Sequence, residues 1–133
     1  MILNYLGSWG GGESCLPEDI QGSGDYSDQA FIELYLRGGV IIASSLSDYT
    51  PLPPLEKDAY LGNRILTDGV WAWPESLIAY FTFASISLPD RFIAHVRDLD
   101  YQVPCVINKV ELCDAVPDYS VWRSWTSAFK KPF

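Results

Sequence analysis

The chain has 133 residues, 48% of them hydrophobic and 14% aromatic, and a formal charge of −8 from 17 acids and 9 bases. That is the length of one domain with enough apolar surface to build a core, which excludes a disordered tail. The acidity argues against binding of DNA, RNA or an anionic membrane, since such binding draws its free energy from clustered Lys and Arg. It leaves a cationic partner open.

Residues 1 to 36 hold Glu13, Glu18, Asp19, Asp25, Asp28 and Glu33 and no base, so most of the net charge sits in the N-terminal quarter. From Gly7 to Asp28 the chain is rich in Gly and Ser and reads as irregular, with one helical turn opened by Pro17-Glu18-Asp19. Gly10-Gly11-Gly12 precedes Glu13 instead of a Lys, so it is not a phosphate loop. Trp9, among these glycines, is either an anchor pinning the loop or an interface residue.

Residues 28 to 37 alternate like a strand at Ile32, Leu34 and Leu36, while Ala30, Phe31, Leu34 and Tyr35 share a helical face. Ser27 as N-cap and Gly38 as a left-handed C-terminal residue favour the helix. Val40 to Ala43 reads as a short buried strand, and a Pro-rich loop closes with a turn of helix within 55–61. Arg64 to Thr67 and Val70 to Trp73 are β-prone runs separated by Asp68-Gly69, which predicts a tight hairpin centred on that dipeptide. Trp71 and Trp73 then share one face and belong to the core.

A helix follows Pro74, running to Phe83 or Ala84 with Leu77, Ile78, Tyr80 and Phe81 inward. Another follows Pro89, with Phe92, Ile93, Val96 and Leu99 inward and Arg91, His95 and Asp98 on the solvent side. Residues 103–112 suggest an edge strand. Pro117 can open a final helix in which Trp122, Trp125 and Phe129 share a face. The expected architecture is α+β: a single domain over 1–133, with 1–27 an irregular acidic segment. Its core is a small antiparallel sheet of three to four strands carrying three to four helices.

Catalytic chemistry is sparse. His95 is the only histidine, and its place opposite the apolar stripe reads as solvent-facing. Cys15, Cys105 and Cys113 are an odd set with no close pair, which argues against a disulfide framework and against a zinc site, so no metal and no cofactor are expected. Acid pairs such as Asp68 with Glu75 or Asp98 with Asp100 carry no information by themselves. The N-terminus does not read as a signal peptide. The longest uncharged run, Ser76 to Pro89, is shorter than the ~20 apolar residues that span a bilayer, so a cytoplasmic protein is expected.

Thr67-Asp68-Gly69-Val70-Trp71-Ala72-Trp73-Pro74, with Leu36-Arg37-Gly38 before it and Leu88-Pro89 after it, resembles a family of small bacterial proteins. Its members pair such a helix end with a strand, an Asp-Gly-x-Trp-x-Trp hairpin and a helix after a Leu-Pro step. The resemblance covers roughly residues 28–97 and departs at both ends. Such proteins look like the acidic immunity proteins encoded beside polymorphic or contact-delivered toxins. The resemblance implies a non-enzymatic binder of a toxin, and the base-free acidic block implies that this toxin is cationic, with a basic surface, and directed at nucleic acid or nucleotides. Joined to the charge distribution, it makes Trp9, Glu13, Glu18, Asp19, Asp25 and Asp28 the expected partner-binding residues. Two other expectations remain: a small enzyme or ligand-binding domain with a pocket of Trp71, Trp73 or Tyr80 beside His95, and a subunit of a larger assembly packing through residues 122–133.

Overall fold

The computed structural model describes residues 2–7, 16–44, 51–104, 112 and 114–129. Five strands form one sheet in the order β2-β3-β4-β1-β5: β1 Ile2–Tyr5, β2 Val40–Ser44, β3 Arg64–Thr67, β4 Trp71–Pro74 and β5 Val116–Asp118. The described helices are α1 Gln29–Arg37, α2 Glu75–Ala84, α3 Asp90–Asp98 and α4 Ser120–Ser127, preceded by a 3₁₀ turn at Pro17–Asp19. The α+β class is as expected; the sheet is not. It has five strands rather than three or four and is mixed, because β1 lies parallel to both β4 and β5.

The extra strands escape local reading for a physical reason. A parallel pair has no connecting turn to announce it, and β1 finds its register only through distant partners, with Asn4 opposite Trp71 and Ile2 opposite Val116. The N-terminal segment is thus not irregular throughout: Leu3, Leu6 and Ile20 are fully buried. Pro117, expected to open a helix, lies inside β5, and α4 begins at Ser120. Val40 to Ala43 is a strand as expected, but an exposed edge one, with Ile41 44% exposed. Residues 55–61 form turns, not helix. Cys15, Cys105, Cys113 and most of the expected 103–112 strand lie outside the described residues.

Alternation along β4 sends Trp71 and Trp73 to one face and Ala72 to the other. On the first face Phe92 of α3 meets both indoles edge-on, at centroid distances of 5.4 and 5.7 Å. Tyr35 of α1 stands 6.2 Å from Trp73. Each buried side chain of this kind contributes about 1.5–3 kcal/mol, and a well-angled aromatic pair about 0.5–1.5 kcal/mol more. The Trp73 indole N–H also donates to the Leu36 carbonyl at 3.0 Å, tying the sheet to the end of α1.

In α1 the buried residues are Ile32, Tyr35 and Leu36, whereas Phe31 and Leu34 are exposed, so the inward face is rotated from the expected one. Gly38 ends α1 at φ −86°, not in the left-handed region. Helix α2 is buried nearly all round, including the expected Leu77, Ile78, Tyr80 and Phe81. Helix α3 buries Phe92, Ile93 and Val96, as its periodicity requires. Trp122 of α4 joins the same cluster.

Candidate functional site

The β3–β4 hairpin builds the most densely bonded polar cluster in the described structure. The Asp68 N–H donates to the Trp71 carbonyl at 3.2 Å, which centres the turn on Gly69-Val70, one residue beyond the expected position. Gly69 has φ +95°, a conformation that glycine adopts without a Cβ penalty. The shift turns the Asp68 side chain inward, where it is fully buried. Its Oδ1 accepts from the Val70 and Trp71 N–H groups at 2.9 and 2.7 Å. Its Oδ2 accepts from the Tyr35 hydroxyl at 2.6 Å and meets His95 Nε2 at 3.0 Å.

A carboxylate only accepts, so the proton of that last contact belongs on Nε2 of His95. Burial, together with the Asp68 bond and charge, pushes the Tyr35 phenol far above its ordinary range and keeps it a donor. His95 is 25% exposed by side chain. The expected solvent-facing histidine is therefore corrected: it lies on the border of the apolar stripe, where one side reaches a buried acid. An imidazole oriented by a buried carboxylate is half of a general-base arrangement. Among the described residues no hydroxyl or thiol is bonded to its other nitrogen. What the cluster does visibly is join α1, α3 and the hairpin at one point.

The expected partner-binding residues part company. Trp9 and Glu13 lie outside the described residues, and Glu18 is placed by its backbone alone, on the 3₁₀ turn. Asp19 receives the Leu16 N–H at 2.8 Å, closing that turn. Asp25 is exposed. Asp28 is an internal tie: it accepts from Arg97 Nε and Nη2 at 2.9 and 3.1 Å and from the Tyr101 hydroxyl at 2.5 Å. Those bonds, Arg97 first, hold its carboxyl at about 2, so its charge already has a partner within the chain.

The segment carrying Asp25 is fastened to the end of α2. Gly22 and Gly24 N–H groups donate to the Ala84 and Ser85 carbonyls at 2.9 and 2.7 Å, and the Ser23 and Ser87 hydroxyls meet at 2.7 Å. Asp25 thus follows directly on a stretch bonded to the end of α2 and the residues after it.

A second feature had no signal in sequence periodicity. Along the outer side of α2, Glu75, Ile78, Ala79 and Phe83 face the turns of 54–61 across a groove of about 590 Å³. Tyr60 and Phe83 stand at its rim, 83% and 75% exposed. Glu56 and Asp58, both exposed, join Glu75 in its lining. Glu75 is the first residue of α2, suited to the helix dipole. Its Oε1 is buried and has no hydrogen-bond partner among the described residues. Gly62, at φ +73°, passes so close to that carboxylate that a Cβ would collide with it. Arg37 also lines the groove but is paired with Glu33 at 3.1 Å.

Trp71, Trp73 and Tyr80, the residues of the expected aromatic pocket, are at most 3% exposed and serve packing. Tyr80 does accept the Leu52 N–H through its hydroxyl, at 3.0 Å. No described helix is long and apolar enough to cross a membrane. No family model, no curated protein and no solved structure matches the chain.

Proposed function

We propose that this chain is a non-enzymatic binding protein of the immunity kind, acting in the cytoplasm, which neutralises a toxin by covering its basic surface. The observation that carries the reading is the charge distribution, six acids and no base over residues 1–36, with Asp25 open to solvent beside residues 22–24, which are bonded to the end of α2 and the residues after it. Clustered acids attract Lys and Arg that would otherwise hold phosphate, speeding association and blocking substrate entry. Asp28 is left out of the binding set because Arg97 already occupies it.

Co-expression with the toxin encoded beside this chain is the test. Rescue of growth is expected from the native chain. Charge reversal at Glu13, Glu18 and Asp25 should slow association and flatten its salt dependence. Unchanged rescue and unchanged salt dependence in that variant overturn the reading.

One observation favours a second reading, a small enzyme: the only histidine is oriented by a buried aspartate. Full biological activity in a His95→Ala variant that remains folded removes it.

A further inference from the structure

We propose that the groove between α2 and residues 54–61 receives an arginine or lysine side chain presented by the basic partner polypeptide. This rests on the binding-protein reading above and assigns a contact surface that the charge count did not identify. The groove combines three properties that together select such a side chain. Its floor is apolar, formed by Ile78 and Ala79 of α2, and suits an aliphatic stem. Its rim carries two exposed rings, Tyr60 and Phe83, whose faces attract a cation. Its walls bring Glu56, Asp58 and Glu75 to one cavity.

The unbonded Glu75 oxygen distinguishes this from an ordinary solvated acidic face. A buried carboxylate oxygen without a donor is under-stabilised, and a cationic head group beside it offsets that deficit. Among the described lining residues the one cation, Arg37, is engaged by Glu33. Lys57 lines an adjoining hollow that shares Asp58 and Tyr60 with the groove, not the groove itself. The carboxylates do not suit a metal, since among the described residues no three acids, histidines or cysteines converge on one point. A purely apolar ligand would have to desolvate three acids with nothing to pair them.

The probe is an arginine-rich hexapeptide, with the same peptide in citrulline form and spermine as comparisons, titrated into the full chain and followed by amide chemical shifts. Shifts confined to residues 56–62 and 75–83 with the arginine peptide, absent with citrulline, are expected. Phe83→Ala, at an exposed position, and Glu75→Gln should each weaken binding about tenfold. Charge reversal at Asp98, an exposed acid at the end of α3 outside both surfaces, should leave it unchanged. Equal binding of the citrulline peptide, shifts elsewhere, or indifference to both variants overturns the groove assignment. Spermine binding as tightly as the peptide overturns the polypeptide occupant. Loss of peptide binding with toxin rescue intact sinks the groove alone; loss of rescue with peptide binding intact sinks the immunity reading alone.

Discussion

Strand β4 is four residues long and is flanked by two carboxylates, Asp68 three residues before Trp71 and Glu75 directly after Pro74. The two are treated in opposite ways. Asp68 is fully buried and each of its oxygens meets two partners, from two backbone amides, a phenol and an imidazole. Glu75, which lines an open groove, has a buried oxygen to which no described residue donates. An acid whose acceptor capacity is filled within the chain holds elements together. An acid left short of donors next to solvent space is the one with capacity for a ligand. The density of polar contacts therefore points away from the groove proposed for a ligand.

Removing the saturated acid has the largest expected effect. Asp68→Ala leaves two backbone amides and the Tyr35 hydroxyl without their acceptor and takes from His95 the acid that orients it. The expected loss is about 3–5 kcal/mol of unfolding free energy, read by urea titration. A loss under about 1 kcal/mol would mean that the cluster is not structural, and would return His95 and Asp68 to consideration as a functional pair. Tyr35→Phe deletes one donor and keeps the ring packed between Trp73 and Phe92. It should cost about 2 kcal/mol, the scale for a buried hydrogen bond to a charged group.

What sequence showed and what it hid follow one physical divide. The hairpin, the Trp71 and Trp73 face and the inward residues of α2 and α3 were legible because turn chemistry and side-chain periodicity are local. The role of Asp68 was hidden because its partners Tyr35 and His95 lie 33 and 27 residues away. His95 read as solvent-facing because helical spacing puts it beside the apolar stripe, and spacing cannot show that a buried acid waits there. Strand β1 was hidden because parallel pairing has no adjacent turn. Val40 to Ala43 read as buried because its composition is apolar, whereas its position at the sheet edge leaves Ile41 open. The groove needs the 54–61 turns to fold back on α2, which no pattern within either segment announces.

Asp28 lies between the two extremes and supplies the pH test. Its carboxyl is held at about 2, below its ordinary 3.8, chiefly by Arg97 and then by Tyr101. A carboxyl lowered on folding contributes stability that is complete above its unfolded value and is lost as pH falls from about 4 through about 2. Asp28→Asn should therefore flatten the acid limb of the stability profile in that window and leave the slope near neutrality as it was. Glu33, lowered by Thr82 and then Arg37, leaves a residual slope behind. An unaltered acid limb in the variant would show that the Arg97 contact does not persist in solution, and would restore Asp28 to the acids available to a partner.

The smallest expected effect is the most discriminating. Glu75→Gln keeps the shape of the side chain, removes its charge from the first turn of α2 and gives a group that can donate as well as accept. Losing the charge from the helix N-terminus should cost a few tenths of a kcal/mol, and relieving a buried oxygen that has no donor should return a similar amount. The net change in unfolding free energy is expected within about 0.5 kcal/mol, the range of substitutions away from structural contacts. A loss beyond about 1 kcal/mol would give Glu75 a structural role like that of Asp68, and the two ends of β4 would no longer differ in kind. Near-neutrality with weakened binding of a basic peptide would separate the two carboxylates fully, since one substitution would then alter recognition while leaving the fold as stable as before.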